Sequence, residues 1–149
     1  MSEFSKTTAF EVVRRLASMG LTSPSLYILV CDRGEMETVE ADLSAEMDVQ
    51  LGSDLRLLEA SNLRVEQLFE ATLPNGGPRV VLLTMRQWER KLVDWLDRNI
   101  VLVTDAGPFL LLAELEIAER VLSVAPNLRN RLADILSIRP DPWVRRVPV

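Results

Sequence analysis

Apolar residues fall into two kinds of pattern along this chain. Three short runs are apolar without a break: Leu26-Tyr27-Ile28-Leu29-Val30-Cys31, Val80-Val81-Leu82-Leu83 and Ile100-Val101-Leu102-Val103. A strand that is apolar on both faces needs cover on both, which is the habit of parallel strands sandwiched between helices. Leu29, Val81 and Leu102 are therefore expected mid-strand in a covered core. Val49-Gln50-Leu51, ended by Gly52, is a weaker strand candidate.

Between these runs the spacing turns helical. Ala9, Val12, Val13 and Leu16 form one stripe, stopped at Gly20. Met36, Val39, Leu43 and Met47 form a second, and Trp88, Leu92, Trp95 and Leu96 a third. On the outside of the third, Arg90–Asp94 and Asp94–Arg98 are spaced to pair. Leu55 to Leu73 reads as helix, broken near Ser61-Asn62 and ended by the turn Pro74-Asn75-Gly76-Gly77-Pro78. Pro108 is placed to open a helix running to about Ala125. A last helix, capped by Asn127, carries Leu128, Leu132, Ile135 and Leu136.

Alternating helices and strands with crossover-length connections predict an α/β fold: three layers, doubly wound, with a mainly parallel sheet of about four or five strands. Residues 1–139 are expected to form one domain. Residues 140–149, with three prolines, are expected to form an extended tail rich in proline and arginine.

Composition narrows the function. The chain has 149 residues, enough for a real core. A net charge of −5 argues against a general nucleic-acid binder. Acid is concentrated between Arg33 and Glu70, and arginine prevails after Pro126; solvated faces account for both. A single cysteine, Cys31, excludes an internal disulfide and fits a reducing compartment. Glu3 and Glu11 interrupt any signal-peptide pattern, and no unbroken apolar run, Phe109 to Ala113 included, is long enough for a bilayer. A cytoplasmic protein with no membrane partner is expected.

Sites in open parallel sheets gather at the C-terminal ends of strands. Those positions hold Asp32-Arg33-Gly34-Glu35, Thr84-Met85-Arg86 and Thr104-Asp105-Ala106-Gly107. No Gly-Lys pair and no dinucleotide fingerprint occur. With no histidine, the usual general base and the commonest zinc ligand are missing, and Cys31 has no partner base. These gaps predict a protein that is not an enzyme, with no cofactor, no metal and no evident small-molecule substrate. Asp32 and Asp105, if both end strands, offer an alternative acid or magnesium site; loop and helix capping is the plainer role.

Trp88 and Trp95 fit core packing. Trp143 stands in the tail beside Arg145 and Arg146, and Trp and Arg are favoured interface anchors. These three residues are the candidate partner-binding group, for another protein or for a second copy.

The order of elements resembles the core of P-loop NTPases of the AAA and STAND kind. Leu26–Cys31 stands at the first strand and Asp32–Met36 at the phosphate loop. Arg79–Met85 stands at the strand that ends in magnesium-binding acids, Ile100–Asp105 at the sensor strand, and Leu128–Ile138 within the following helices. The motifs themselves are absent: Asp-Arg-Gly-Glu-Met replaces the phosphate loop and Thr84-Met85-Arg86 the acids. The chain is thus similar to inactive STAND-type domains, which implies an adaptor or sensor in bacterial conflict or signalling. A degenerate receiver domain and a subunit of a larger assembly are the alternatives, although Thr84-Met85 and the lack of a lysine after Ile100 leave the receiver without its chemistry.

Overall fold

The computed structural model describes residues 4–20, 24–64, 67, 80–105 and 107–142. Six strands form one parallel sheet: β1 (Ser5–Thr8), β2 (Leu26–Val30), β3 (Leu55–Glu59), β4 (Val80–Met85), β5 (Phe109–Ala113) and β6 (Asp134–Arg139). Their spatial order is β1-β6-β2-β5-β4-β3. Among the described residues, six α-helices flank it: α1 (Ala9–Met19), α2 (Met36–Leu51), α3 (Arg90–Arg98), α4 (Ile100–Asp105), α5 (Leu115–Val124) and α6 (Pro126–Arg131). The fold is the expected three-layer α/β, with one strand more than the upper expectation.

The unbroken apolar runs are explained by burial on both sides. From β2, Leu26, Ile28 and Val30 face α3, α4, α5 and α6, where they meet Leu96, Ile100, Val121 and Leu128. Tyr27 and Leu29 point the other way, to Val13 and Leu16 of α1 and Leu43 of α2. Period-two alternation therefore persists, with both classes apolar.

The first three helix stripes hold. Gly20, at φ 86, ends α1, and its N–H bonds Leu16 O. Trp88 lies just before α3 and Trp95 within it, both partly buried on the core, and the Arg120 guanidinium sits 4.7 Å from the Trp88 ring centre.

Several expectations are overturned. Ile100–Val103 is helix α4: only Ile100 and Val103 are buried, and Leu102 is 59% exposed. The strand slot between β2 and β4 belongs instead to Phe109–Ala113, buried throughout. Pro108 introduces this strand, its carbonyl accepting from Val81 N–H, and the helix begins only at Leu115. Two apolar runs competed for one central slot; the one insulated by Gly107 (φ 137) and Pro108 took it.

Val49–Leu51 is the end of α2, and Gly52 is its left-handed C-cap (φ 57), so a helix stop had been read as a strand stop. Leu55–Glu59, expected helical, is an edge strand whose half-exposed residues mask its type. The break at Ser61-Asn62 is a 3₁₀ turn over Ala60–Asn62, and the turn at residues 74–78 lies outside the described residues. Finally, the last helix stops at Arg131, and Ile135 and Leu136 belong to β6, held between β1 and β2. Asp97, not Asn127, caps that helix, accepting from Leu128 N–H at 2.9 Å. Strand β1 (Ser5–Thr8) carries no apolar signal and is set by pairing with β6.

Candidate functional site

The strand order creates a crevice. After β2 the chain turns into α2 on one face; after β5 it turns into α5 on the other. Neighbouring strands whose connections diverge open a gap beyond their C-terminal ends, where α/β proteins hold ligands. A cleft of about 370 Å³ lies there, lined by Val30, Cys31, Asp32, Glu35, Glu114, Leu115, Glu116 and the end of β6 from Ser137 to Arg139.

The lining chemistry is one-sided. Asp32, Glu35, Glu114 and Glu116 face a single lining cation, Arg139. Burial first, and then Glu35, Asp32 and Glu114, push the Cys31 thiol up to about 12. Such a thiol stays protonated at neutral pH and is no nucleophile. A phosphate would meet the same repulsion, without the glycine-bordered backbone amides or the lysine of a phosphate loop. Among the described residues no group of three or more His, Cys, Asp or Glu side chains is arranged to hold a metal.

A second constellation lies over β3 and β4. Thr84 Oγ1 donates to Glu40 Oε2 at 2.8 Å, and Arg86 donates to Glu40 Oε1 at 3.0 Å. The other arm of the Arg86 guanidinium bonds Glu59 Oε2. Burial alone would lower the Arg86 pKa, and the bonds to Glu59 and Glu40 more than reverse that. Thus Arg86 joins the end of β4 to α2 and to the end of β3. Reading α2 as a solvated acidic face missed Glu40. It missed Asp42 too, which is buried and accepts the Asp141 N–H at 2.8 Å. The available clue was that Glu40 and Asp42 lie one residue to either side of the Val39/Leu43 stripe.

Asp32 and Asp105 do not meet. Asp32 follows the C-terminal end of β2, whereas Asp105 ends α4 ahead of β5, at the opposite edge of the sheet, and pairs with Arg131 at 3.4 Å. Five-residue strands at about 3.3 Å per residue hold the two edges some 15 Å apart. A shared acid or magnesium site is excluded. The receiver alternative fails on topology as well. Counted from β2, the core order is 5-1-4-3-2, whereas receiver-like sheets run 2-1-3-4-5.

Trp143, Arg145 and Arg146 lie outside the described residues. What precedes them is well anchored. Asp141 is 2% exposed, and its carboxylate accepts from Phe10 N–H in the first turn of α1. Burial raises its pKa; Asp42 and Glu46 add to the rise, and the Phe10 and Ala9 amides oppose it.

No protein-family model matches this chain, and no curated protein matches it. Among solved structures it is similar to a Rhizobiales Trip13 structure, at 20% identity and a TM-score of 0.47. The match covers 79% of this chain and 46% of that one, so this chain spans less than half its length. A likeness of that degree carries no argument about activity. Among the described residues no helix is long and apolar enough to cross a membrane.

Proposed function

We propose that this protein is a non-catalytic, cytoplasmic α/β interaction domain that recruits another protein, as an adaptor or sensor in a signalling or conflict system. The observation that carries this reading is the state of the polar groups at the strand ends. Arg86, Glu40, Glu59 and Thr84 are bound to one another, and the cleft beside them has a protonated thiol among carboxylates. Neither arrangement offers a nucleophile, a paired base or a phosphate cradle. Trp143, Arg145 and Arg146 are the proposed partner contact: an extended segment supplies backbone hydrogen bonds, with Trp as anchor.

Two measurements test it. ATP or GTP with magnesium should leave the melting temperature unchanged. A ligand at a hundred times its dissociation constant adds about 2.7 kcal/mol, a shift of a few degrees. A reproducible shift of that size, abolished by Asp32→Ala, would refute the non-catalytic reading. In a pull-down, the full chain should capture a partner that a Trp143→Ala/Arg145→Ala/Arg146→Ala variant does not.

A further inference from the structure

We infer that the outer face of α4 is a self-complementary surface through which two copies of this chain pair, antiparallel, about a twofold axis between Val101 and Leu102. This surface is distinct from the tail proposed above as the contact for another protein, and the inference goes beyond that reading.

Helix α4 turns an apolar face to water. Ile100, Val103 and Thr104 are buried, whereas Val101 is 53% and Leu102 59% exposed, side by side. Helical hydrogen bonding runs through the junction with α3: Asn99 N–H bonds Trp95 O and Val103 N–H bonds Asn99 O, each at 3.0 Å. Arg98, Val101, Leu102 and Asp105 therefore stand at i, i+3, i+4 and i+7, on one face of the helix, and all four are exposed. Beside them lies a groove of about 300 Å³, with Arg98, Ile100 and Val101 on one side and Asn127, Asn130 and Arg131 of α6 on the other. Single exposed apolar residues are ordinary on a surface; two adjacent ones beside a groove are the pattern of an interface.

The charges around this patch select the occupant. Arg98 is spaced to pair with Asp94, but Asp94 meets Arg90 instead, and Arg98 forms no ion pair among the described residues. Asp105 meets Arg131 only at 3.4 Å, and its side chain stays 55% exposed. An unanswered cation thus stands at one end of the apolar pair and an accessible carboxylate at the other. Each lies about 5 Å along the helix from the midpoint between Val101 and Leu102. A twofold axis at that midpoint therefore sets Val101 against Leu102 of the second copy, and sets Arg98 against Asp105 on both sides. Leu102 of each copy then enters the groove beside Val101 of the other, as side chains do when helix axes pack about 8–10 Å apart. One short helix and its groove make a small contact, which suits a transient dimer and not an obligate one.

The test is sedimentation of the full chain. Over about 1–500 µM, a range that brackets the affinity of a transient contact, the parent should show a reversible monomer–dimer equilibrium. Leu102→Glu should weaken it at least about ten-fold, with the melting temperature at low concentration unchanged because the position is exposed. Arg98→Glu and Asp105→Arg should each weaken it about five-fold or more, by setting like charges opposite each other. Mixing those two variants restores opposite charges at both places, so the mixture should dimerise within about two-fold of the parent. A parent that stays monomeric throughout, a dimer indifferent to Leu102→Glu, or a mixture no tighter than its components would overturn the inference. The Trp143→Ala/Arg145→Ala/Arg146→Ala variant should dimerise as the parent does. A dimer lost in that variant would assign self-association to the tail and overturn the inference as well. Partner capture is read separately, in the pull-down, so the two proposals fail independently.

Discussion

Two acidic constellations share the C-terminal edge of one sheet, and they spend charge in opposite ways. Over β3 and β4, Glu40 and Glu59 close on Arg86 and Thr84, and the group ties three elements together. Over β2, β5 and β6, Asp32, Glu35, Glu114 and Glu116 surround a cleft with Arg139 as the only cation among the described lining residues. Charges that satisfy each other support the fold. Charges of one sign around a cavity do not, and they favour a cationic visitor instead.

The largest expected effect checks the floor beneath that cleft. Leu29 is fully buried in central β2, so Leu29→Ala should cost about 2–5 kcal/mol in urea unfolding, through lost transfer energy and an unfilled cavity. Leu102→Ala, on exposed α4, should cost under about 0.5 kcal/mol. Reversal of that ranking would mean that the strand and helix assignments around β5 are wrong.

Next in size is a direct contrast of the two constellations. Arg86→Ala leaves Glu40 and Glu59 facing each other without their cation. With both partners partly solvated, the expected loss is about 1–3 kcal/mol, short of a fully buried pair. Glu35→Gln in the cleft relieves like-charge repulsion and should change stability by less than about 0.5 kcal/mol, in the stabilising direction. Equal losses from the two substitutions would erase the distinction between them.

The smallest effect concerns Asp141, which bonds Phe10 and Asp42. The Asp141 pKa is raised in the folded state above its ordinary 3.8, chiefly by burial. The folded protein therefore holds that proton more tightly than the unfolded chain does. Its stabilising contribution is complete below pH 3.8 and is lost as pH rises through the folded value. Asp141→Asn keeps an oxygen for the Phe10 amide without the charge facing Asp42 and Glu46. Relative to the parent, the variant should gain stability as pH rises from 3 to 7, measured by urea midpoints. A relative loss over that range would show that the negative charge itself supports the first turn of α1.

Much of this molecule was legible in its sequence. Stripes of three and four fixed α1, α2 and α3 because each buries one face and meets water on the other. The runs at Leu26 and Val80 were readable as strands because doubly covered strands have no polar side. The absence of a Gly-Lys pair and of histidine is likewise plain in the sequence, and it is the ground of the non-catalytic proposal.

Other features were decided by competition in space. Ile100–Val103 has strand-like composition and became α4, because Phe109–Ala113 filled the only open place between β2 and β4. Strand β1 is polar and exists through its pairing with β6. Glu40 and Asp42 look like surface acids until Arg86 and the Asp141 amide, 46 and 99 residues away, come to meet them. Local pattern records which side of an element is dry. Which element wins a shared position, and which distant charge answers a buried one, depends on contacts that exist only in the assembled fold.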